Sequence, residues 1–143
     1  MKLAESLRRL WDRWRTPKSL GARGEAAAAR HLRKKGYTIV ARSDRSRLGE
    51  IDLVAVDKNR VIVFVEVKTR HSHDTGHPAD AVDDDKQRRL TRLALAYLKR
   101  HHLLESPARF DVIAVTWPEA ERKPHIEHFE HAFQAIGNWQ LFA

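Results

Sequence analysis

The chain contains no cysteine, which excludes disulfide bonds, thiolate metal sites and cysteine nucleophiles. It also lacks any apolar run near the roughly 18–20 residues that a membrane-spanning helix needs. The basic residues near the N-terminus are not followed by the uninterrupted apolar segment that a secretory signal requires. We therefore expect a cytoplasmic protein without a transmembrane segment.

Acidic residues are outnumbered by basic ones. The 27 Lys and Arg residues exceed the 19 Asp and Glu residues, giving a net charge of +8 and a pI near 10.2. Such an excess favours nucleic acid as a partner, because binding releases counterions from the phosphates. A basic protein with no such partner would have the same composition. Apolar residues make up 42% of the 143 residues, which is enough for the core of one ordinary domain.

The first 18 residues differ from the rest and are predicted to form a basic amphipathic extension, with the domain at 19–143. Arginines occupy many of the positions between the apolar ones, and Pro17 then breaks the pattern. Such a helix could contact a membrane surface, phosphates or a protein partner, or simply fray or pack as a terminal helix. Its apolar residues recur at helical spacing: Leu3, Leu7, Leu10, Trp11 and Trp14.

The sequence from residue 19 onward predicts an α/β domain. Its strand–helix–strand connection should place two strands parallel in one mixed sheet, with helices packed on it. The predicted elements are, in order, a helix capped by Ser19 and ended by Gly36, strands at Tyr37–Ala41, Glu50–Val56 and Val61–Val67, a helix from about Asp83 to His102, a strand at Arg109–Thr116, and an edge strand at Pro124–His131.

Three charged residues interrupt strands that otherwise resemble buried ones: Asp52, Glu66 and Lys68. Burying a charge costs several kcal/mol unless it is paired or bound to a metal. Glu66 and Lys68 are two apart and share a strand face. Asp52 joins that face only if the hairpin loop has three residues, Lys58 to Arg60, because a two-residue loop would move Asp52 to the other face.

Two carboxylates held together favour a hard cation. Asp52 and Glu66, with the carbonyl of Val67, are the predicted ligands of Mg²⁺ or Mn²⁺, which prefer oxygen donors. A bound metal activates water and neutralises charge on a phosphate. Lys68 would position or deprotonate that water, or stabilise the transition state.

The order of these residues resembles that of the PD-(D/E)XK nucleases, in which an Asp is followed by Glu-x-Lys on the next strand. The wider motifs resemble those of the bacterial YraN family, which is similar to Holliday-junction resolvases. The resemblance covers roughly residues 19–135 and implies a restriction-endonuclease-like fold. It is carried by Gly21-Ala22-Arg23-Gly24-Glu25-Ala26-Ala27, Gly49-Glu50-Ile51-Asp52-Leu53, Phe64-Val65-Glu66-Val67-Lys68-Thr69-Arg70 and Arg109-Phe110-Asp111-Val112.

The resemblance also implies a set of site residues. Asp52 and Glu66 match the metal-binding acids, and Lys68 matches the catalytic lysine. Glu25 matches a helix glutamate that joins the site in resolvase-like members. The sequence departs from the motif by having Ile51, not proline, before Asp52. Finally, the start of the following helix, where related nucleases carry a polar residue, has Lys86 and Gln87.

Several of these residues also have structural interpretations. Asp52, Glu66 and Lys68 could form an ion pair on a sheet face, while Glu25, Lys86 and Gln87 could be solvated helix residues. Glu50 shares a strand face with Asp52 by parity, and we interpret it as a strand-start charge more readily than as a supporting group. Arg109 and Asp111 are expected to pair with each other or a neighbouring strand, outside the site. A zinc site is disfavoured, because the histidines have no cysteine partners. His71, His73 and His77 cluster in the loop after Lys68, and the three-residue spacing of His125, His128 and His131 on a strand alternates faces.

These patterns predict a divalent-metal-dependent endonuclease acting on DNA, with branched or junction DNA as one candidate substrate. Two alternatives stay open: a nucleic-acid-binding module with the same fold and little catalysis, and an interaction protein that recruits partners through residues 1–18. By analogy with resolvases, which act on two-fold junctions, a homodimer is also expected.

Overall fold

The computed structural model describes residues 4–5, 19–72, 76–77, 80, 82–118 and 122–137. The predicted helix at 1–18 lies outside this part of the chain, except for Ala4 and Glu5, which are helical. His73 and Trp139 lie outside it as well. The division into an extension at 1–18 and a domain at 19–143 therefore stays a prediction.

The described residues form a mixed five-stranded sheet with strands in chain order, β1-β2-β3-β4-β5. The central pair β3–β4 is parallel and the other three pairs are antiparallel. The predicted fold class, an α/β mixed sheet flanked by helices, is thus confirmed. The elements are α1 (Leu20–Lys34), β1 (Thr38–Ser46), β2 (Gly49–Val56), β3 (Ile62–Arg70), α2 (Asp84–Arg100), β4 (Ala108–Thr116) and β5 (His125–Phe133).

Several strands are longer than the sequence predicts. β1 was predicted to end at Ala41 but continues to Ser46 through a run of polar residues. This run is compatible with a strand because β1 is at the edge of the sheet, and a register shift between Ile39 and Ala41 marks a bulge there. β3 continues past Val67, because its ladder with β4 extends to the pair Arg70–Thr116.

The two helices pack on opposite faces of the sheet, because successive residues of β3 belong to two separate core clusters. Ile62 and Phe64 pack with α2, whereas Val63 and Val65 pack with α1. On the α1 side the helix contributes mostly small residues, which lets it lie close to the strands. These are Ala27, Ala28 and Ala29, together with Leu32.

The helix ends follow the predicted capping. Ser19 accepts a hydrogen bond from the Ala22 N–H at 3.2 Å, and Gly36 ends α1 with a positive φ of 90°. At α2 the prediction is corrected in one detail. Asp83 is the N-cap and accepts from the Lys86 N–H at 2.9 Å, which leaves Asp84 and Asp85 in the first turn.

The β2–β3 hairpin has the three-residue loop that the metal-site prediction requires. The Asp57 N–H donates to the Val61 carbonyl at 3.0 Å, so Lys58 to Arg60 form the loop. Arg60, not Asn59, adopts the left-handed conformation, with φ of 64°. The ladder pairs Leu53 with Val65. Continued by one residue, this register places Asp52 opposite Glu66.

A buried polar network lies at this hairpin end of the sheet, around Arg109 and Asp111 on β4. Arg109 donates to Asp111 at 3.0 Å, to Asp57 at 2.7 Å and to the Tyr37 hydroxyl at 2.7 Å. Asp111 also contacts His128 Nε2 at 2.7 Å. It accepts a further hydrogen bond, at 3.1 Å, from the backbone N–H of His131 on β5. The predicted pairing of Arg109 with Asp111 is therefore confirmed, and the network joins the β2–β3 hairpin, β4 and β5.

The surroundings of Asp111 favour its charged form. Burial alone would raise the pKa of Asp111, but hydrogen bonds from His128 and Arg109 more than offset burial, so its pKa lies below the ordinary value. The motif Arg109 to Val112 that contributes to the family resemblance is thus explained by folding, since it clamps the hairpin end to the sheet.

Replacing Arg109 with leucine should leave Asp111 and Asp57 without their shared cation. We expect a loss of about 3–5 kcal/mol in the free energy of unfolding, the usual effect of breaking a buried ion pair from one side. Denaturant unfolding measures it.

The matched control is Arg100→Leu, which removes an exposed pair with Asp44 at 3.0 Å and should cost at most about 1 kcal/mol. Equal losses in the two variants would show that the Arg109 network is not a stability element.

Candidate metal centre

The candidate site forms near the N-terminal end of β2 and the C-terminal end of β3. The ladder between these strands stops at Leu53–Val65, and beyond it the Asp52 side chain accepts the next hydrogen bond from β3. The Val67 N–H donates to Asp52 Oδ2 at 2.8 Å. This bond holds the Asp52 carboxylate beside β3, close to Glu66.

Helix α1 brings Glu25 to the same place, because Gly24 lets the helix approach β3 closely. A Cβ atom on Gly24 would lie 1.8 Å from the Thr69 hydroxyl oxygen, so a larger residue would push the helix and strand apart. Ser43 on β1 donates to the Glu25 carboxylate at 3.1 Å and orients it.

Glu50 joins Glu25 and Asp52 in an acidic triad. One carboxylate oxygen from each lies within 4.8 Å of the others, and all three side chains are half-buried. Arg45 donates to Glu50 at 2.8 Å from the exposed side. The sequence interpretation of Glu50 as a strand-start charge underestimated it, although its shared parity with Asp52 was the signal that could have found it.

Two lysines surround Glu66, which is itself buried. Lys86, in the first turn of α2, lies 2.5 Å from Glu66 Oε1, and Lys68 lies 3.5 Å from the same oxygen. Asp52, Glu66 and Lys86 line a common cleft of about 210 Å³. Its other lining residues are Gly49, Glu50, Arg89, Leu90 and Leu93.

The crowding of carboxylates changes the acidity of Asp52. Burial and the charges of Glu66 and Glu25 together raise the pKa of Asp52 to about 7, against the hydrogen bond from the Val67 N–H, which lowers it. The metal-free site therefore holds a proton near neutral pH, a state that a cation would relieve.

The pKa values of the two lysines shift in opposite directions. Burial lowers the pKa of Lys68, and the neighbouring ammonium of Lys86 lowers it further. Burial also opposes the charge of Lys86, but its hydrogen bonds and attraction to Glu66 outweigh burial and raise its pKa. Lys68 is therefore the more readily deprotonated of the pair, and Lys86 is the more firmly charged.

The donor set fits a hard divalent cation. Mg²⁺ and Mn²⁺ sites use carboxylate oxygens, which lie about 2.0–2.1 Å from Mg²⁺. One oxygen each from Glu25, Glu50 and Asp52 lies within 4.8 Å of the others, so side-chain rotations can bring them around one ion. The arrangement can therefore hold a cation with Glu66 and Lys68 beside it.

Most of the predicted site residues lie close together. These are Glu25, Asp52, Glu66 and Lys68, as the resemblance implies. Val67 contacts Asp52 through its N–H, and the role of its carbonyl as a ligand stays a prediction. Gln87 does not line the cleft; its amide donates to the Val82 carbonyl at 2.9 Å, while Lys86 points to Glu66.

The histidines do not form a comparable centre in the described part of the chain, where the acidic triad is the only group of three metal-binding side chains. His71 contacts the Trp117 carbonyl at 3.0 Å, and His77 packs on Phe129. No helix among the described residues is long and apolar enough to cross a membrane.

Two solved structures show a weak likeness in fold. A repair endonuclease from Pyrococcus abyssi matches with a TM-score of 0.40 and 21% identity, over 72% of this chain and 40% of that one. The SfsA protein of Pyrococcus furiosus in complex with Ca²⁺ matches with a TM-score of 0.33 and 14% identity, over 76% of this chain and 61% of that one. Similarity at this level is too low to transfer an activity or a substrate.

Sequence relatives are much more similar. A UPF0102 protein of Rhodopirellula baltica is 57% identical over 120 residues, covering 82% of this chain and 72% of that protein. A UPF0102 protein of Geobacter sulfurreducens is 48% identical over 119 residues, covering 82% of this chain and 90% of that protein. The model of the family described as "Uncharacterised protein family UPF0102" matches residues 24–115, which include the acidic triad, Glu66, Lys68, Arg109 and Asp111. The chain therefore belongs to the UPF0102 family, and the resemblance to YraN proteins is confirmed.

Proposed function

We propose that the chain is an Mg²⁺- or Mn²⁺-dependent nuclease that hydrolyses phosphodiester bonds in DNA. The observation that carries this proposal is the convergence of Glu25, Glu50, Asp52 and Glu66 with Lys68 at one end of the sheet. Fold stability alone gives no reason to gather so many carboxylates, since burial and their mutual repulsion raise the pKa of Asp52. A cation-binding role gives such a reason.

The residues divide into holding and reacting groups. The cation would be held by Glu25, Glu50 and Asp52. Glu66 would become a further ligand when Lys86 moves away from its carboxylate. When bound, the cation would activate water and neutralise charge on the phosphate. Lys68 lies beside Glu66 with a lowered pKa, which suits it to orient a water molecule or exchange a proton with it. Lys86 can offset negative charge at the cleft rim.

The proposed substrate follows from charge and from the resemblance to resolvases. The net charge of +8 favours a polyanion over a small neutral substrate. We propose DNA with branched or junction structure as the preferred form, cleaved by a homodimer that matches the two-fold character of a junction.

A second candidate function is nucleic-acid binding with little catalysis. The close contact between Lys86 and Glu66, at 2.5 Å, favours it, because a lysine that neutralises Glu66 competes with a cation for the same oxygen. Salt-sensitive DNA binding without metal-dependent cleavage would identify this function.

Cleavage assays distinguish these two functions. Purified wild-type protein with Mg²⁺ or Mn²⁺ should cut at least one member of a panel of branched, duplex and single-stranded DNA and RNA. Lys68→Ala should reduce the rate by about 10²-fold or more, as expected for loss of a group that moves a proton. Glu66→Gln should also abolish most cleavage.

The matched control is Glu105→Gln, which removes an exposed acid outside the cleft and should cut as wild type does. Absence of cleavage by wild type with either metal on every substrate would contradict the nuclease proposal. Residual cleavage that is equal in wild type and Lys68→Ala would point to a contaminating enzyme.

The raised pKa of Asp52 predicts a pH-dependent stability in metal-free buffer. Its folded-state pKa of about 7 exceeds the ordinary 3.8, so its stabilising contribution is present below about pH 4 and is lost as pH rises through 7. Asp52→Asn cannot ionise and should melt a few degrees above wild type at pH 8. This difference should vanish near pH 4, as thermal unfolding at several pH values can show.

Glu105→Gln again serves as the control, and its melting temperature should follow the wild type across this range. A constant offset between Asp52→Asn and wild type from pH 4 to pH 8 would contradict the account of the carboxylate crowding.

A further inference from the structure

A second concave surface lies between α1 and β5. This groove has a volume of about 340 Å³, and we call it the basic groove. Four of its lining residues are permanently cationic: Arg30, Lys34, Arg122 and Lys123. The others are Ala27, His31, Trp117, Pro124 and Ile126.

The cations of the basic groove have no acidic counterparts among its described lining residues. Arg30, Lys34, Arg122 and Lys123 are exposed and make no ion pair with any described carboxylate. By contrast, Arg45, Arg88 and Arg100 each have a carboxylate partner. The groove therefore concentrates positive charge that an external anion can neutralise.

The groove is built along one stripe of α1. Arg23, Ala27, Arg30 and Lys34 follow one another at intervals of four, three and four residues, which places them on a single helix face. At a rise of about 1.5 Å per residue, the stripe from Arg23 to Lys34 is about 16 Å long. That length equals the axial rise of about five base pairs of duplex DNA, which is more than one free phosphate can use.

One end of this stripe is held by a stacked pair. The Arg23 guanidinium lies 4.0 Å from the centre of the Trp117 ring, within the range of a cation–π contact. The ring fixes the plane of the guanidinium, and the pair packs beside the core cluster on the α1 face. A pre-positioned guanidinium loses less side-chain entropy when it binds a phosphate.

The basic groove is connected to the metal centre through the backbone. The Trp117 N–H donates to the Arg70 carbonyl at 2.7 Å, and Arg70 lies two residues after Lys68 on β3. Helix α1 carries both Glu25 of the metal centre and two cations of the groove, Arg30 and Lys34. A strand that left the cleft past the end of β3 would therefore meet Trp117 and then the stripe of α1.

We propose that the basic groove binds the phosphodiester backbone of a nucleic-acid strand, as a positioning site separate from the metal centre. The groove deepens the proposed function by supplying a second contact for the same substrate, but its binding requires no catalysis. Its readout is sequence-independent, because arginine and lysine contacts to phosphate carry no base information. A concave track of cations suits a single curved strand or a duplex edge better than a flat anionic membrane.

The test is the salt dependence of DNA binding by the full-length chain. Arg30→Gln with Lys34→Gln removes two groove cations. The control, Arg92→Gln with Lys99→Gln, removes two exposed cations from α2 on the opposite face of the sheet. Fluorescence anisotropy with a labelled single strand and a duplex, in metal-free buffer at several KCl concentrations, gives Kd for each variant. Thermal unfolding confirms that both variants are folded.

We expect the groove variant to bind both DNAs more weakly and the slope of log Kd against log salt to fall by about 1.4–1.8, as for two lost phosphate contacts. The control should change the slope by less than half as much, and the Mn²⁺ affinity of both variants should equal that of wild type. Equal slopes for wild type and the groove variant would overturn the inference. So would equal losses in groove variant and control, or a loss on anionic vesicles but not on DNA.

The same experiment separates this inference from the proposed function. If the groove variant loses DNA affinity and wild type never cleaves, the groove stands and the nuclease proposal falls. If wild type cleaves and the salt slope does not depend on Arg30 and Lys34, the nuclease stands and the groove falls.

Discussion

Repulsion between carboxylates at one end of the sheet is the constraint around which the candidate site is arranged. Asp52 accepts the Val67 N–H because the β2–β3 ladder stops at Leu53–Val65, and its carboxylate then faces Glu66 and Glu25. Lys86 and Lys68 neutralise Glu66, but no described cation contacts Asp52. Gly24 lets α1 lie close to β3, which adds the Glu25 carboxylate to this cluster. The fold thus assembles negative charge where its own side chains compensate it only partly.

At the opposite end of the sheet, the buried carboxylate of Asp111 has a structural role and a different environment from that of Asp52. Asp111 is fully buried, yet Arg109, His128 and a backbone N–H all contact it, and its pKa is lowered. At Asp52 the pKa is raised to about 7. This contrast is the physical reason to interpret one cluster as structural and the other as functional, although Asp52 and Asp111 both lie within the segment that the UPF0102 model matches.

The sequence predicted most of the fold because its signals were local or periodic. The parallel pair β3–β4 follows from the strand–helix–strand order, and the three-residue hairpin loop follows from requiring Asp52 to face Glu66. The full length of β1 could not be predicted, since an edge strand tolerates polar residues. Glu50 and Lys86 were undervalued for a related reason: their contacts with Asp52 and Glu66 depend on how elements far apart in sequence pack together.

The central claim is that the acidic triad and its neighbours bind a divalent cation. Isothermal titration calorimetry of Mn²⁺ with wild type and with a Glu25→Gln, Glu50→Gln double variant tests it most directly. The account predicts saturable binding to wild type, at least a tenfold weaker affinity in the double variant, and wild-type binding in Glu105→Gln. If Mn²⁺ does not bind wild type, or binds the double variant equally well, then the triad is a surface charge cluster and the account of the site is wrong.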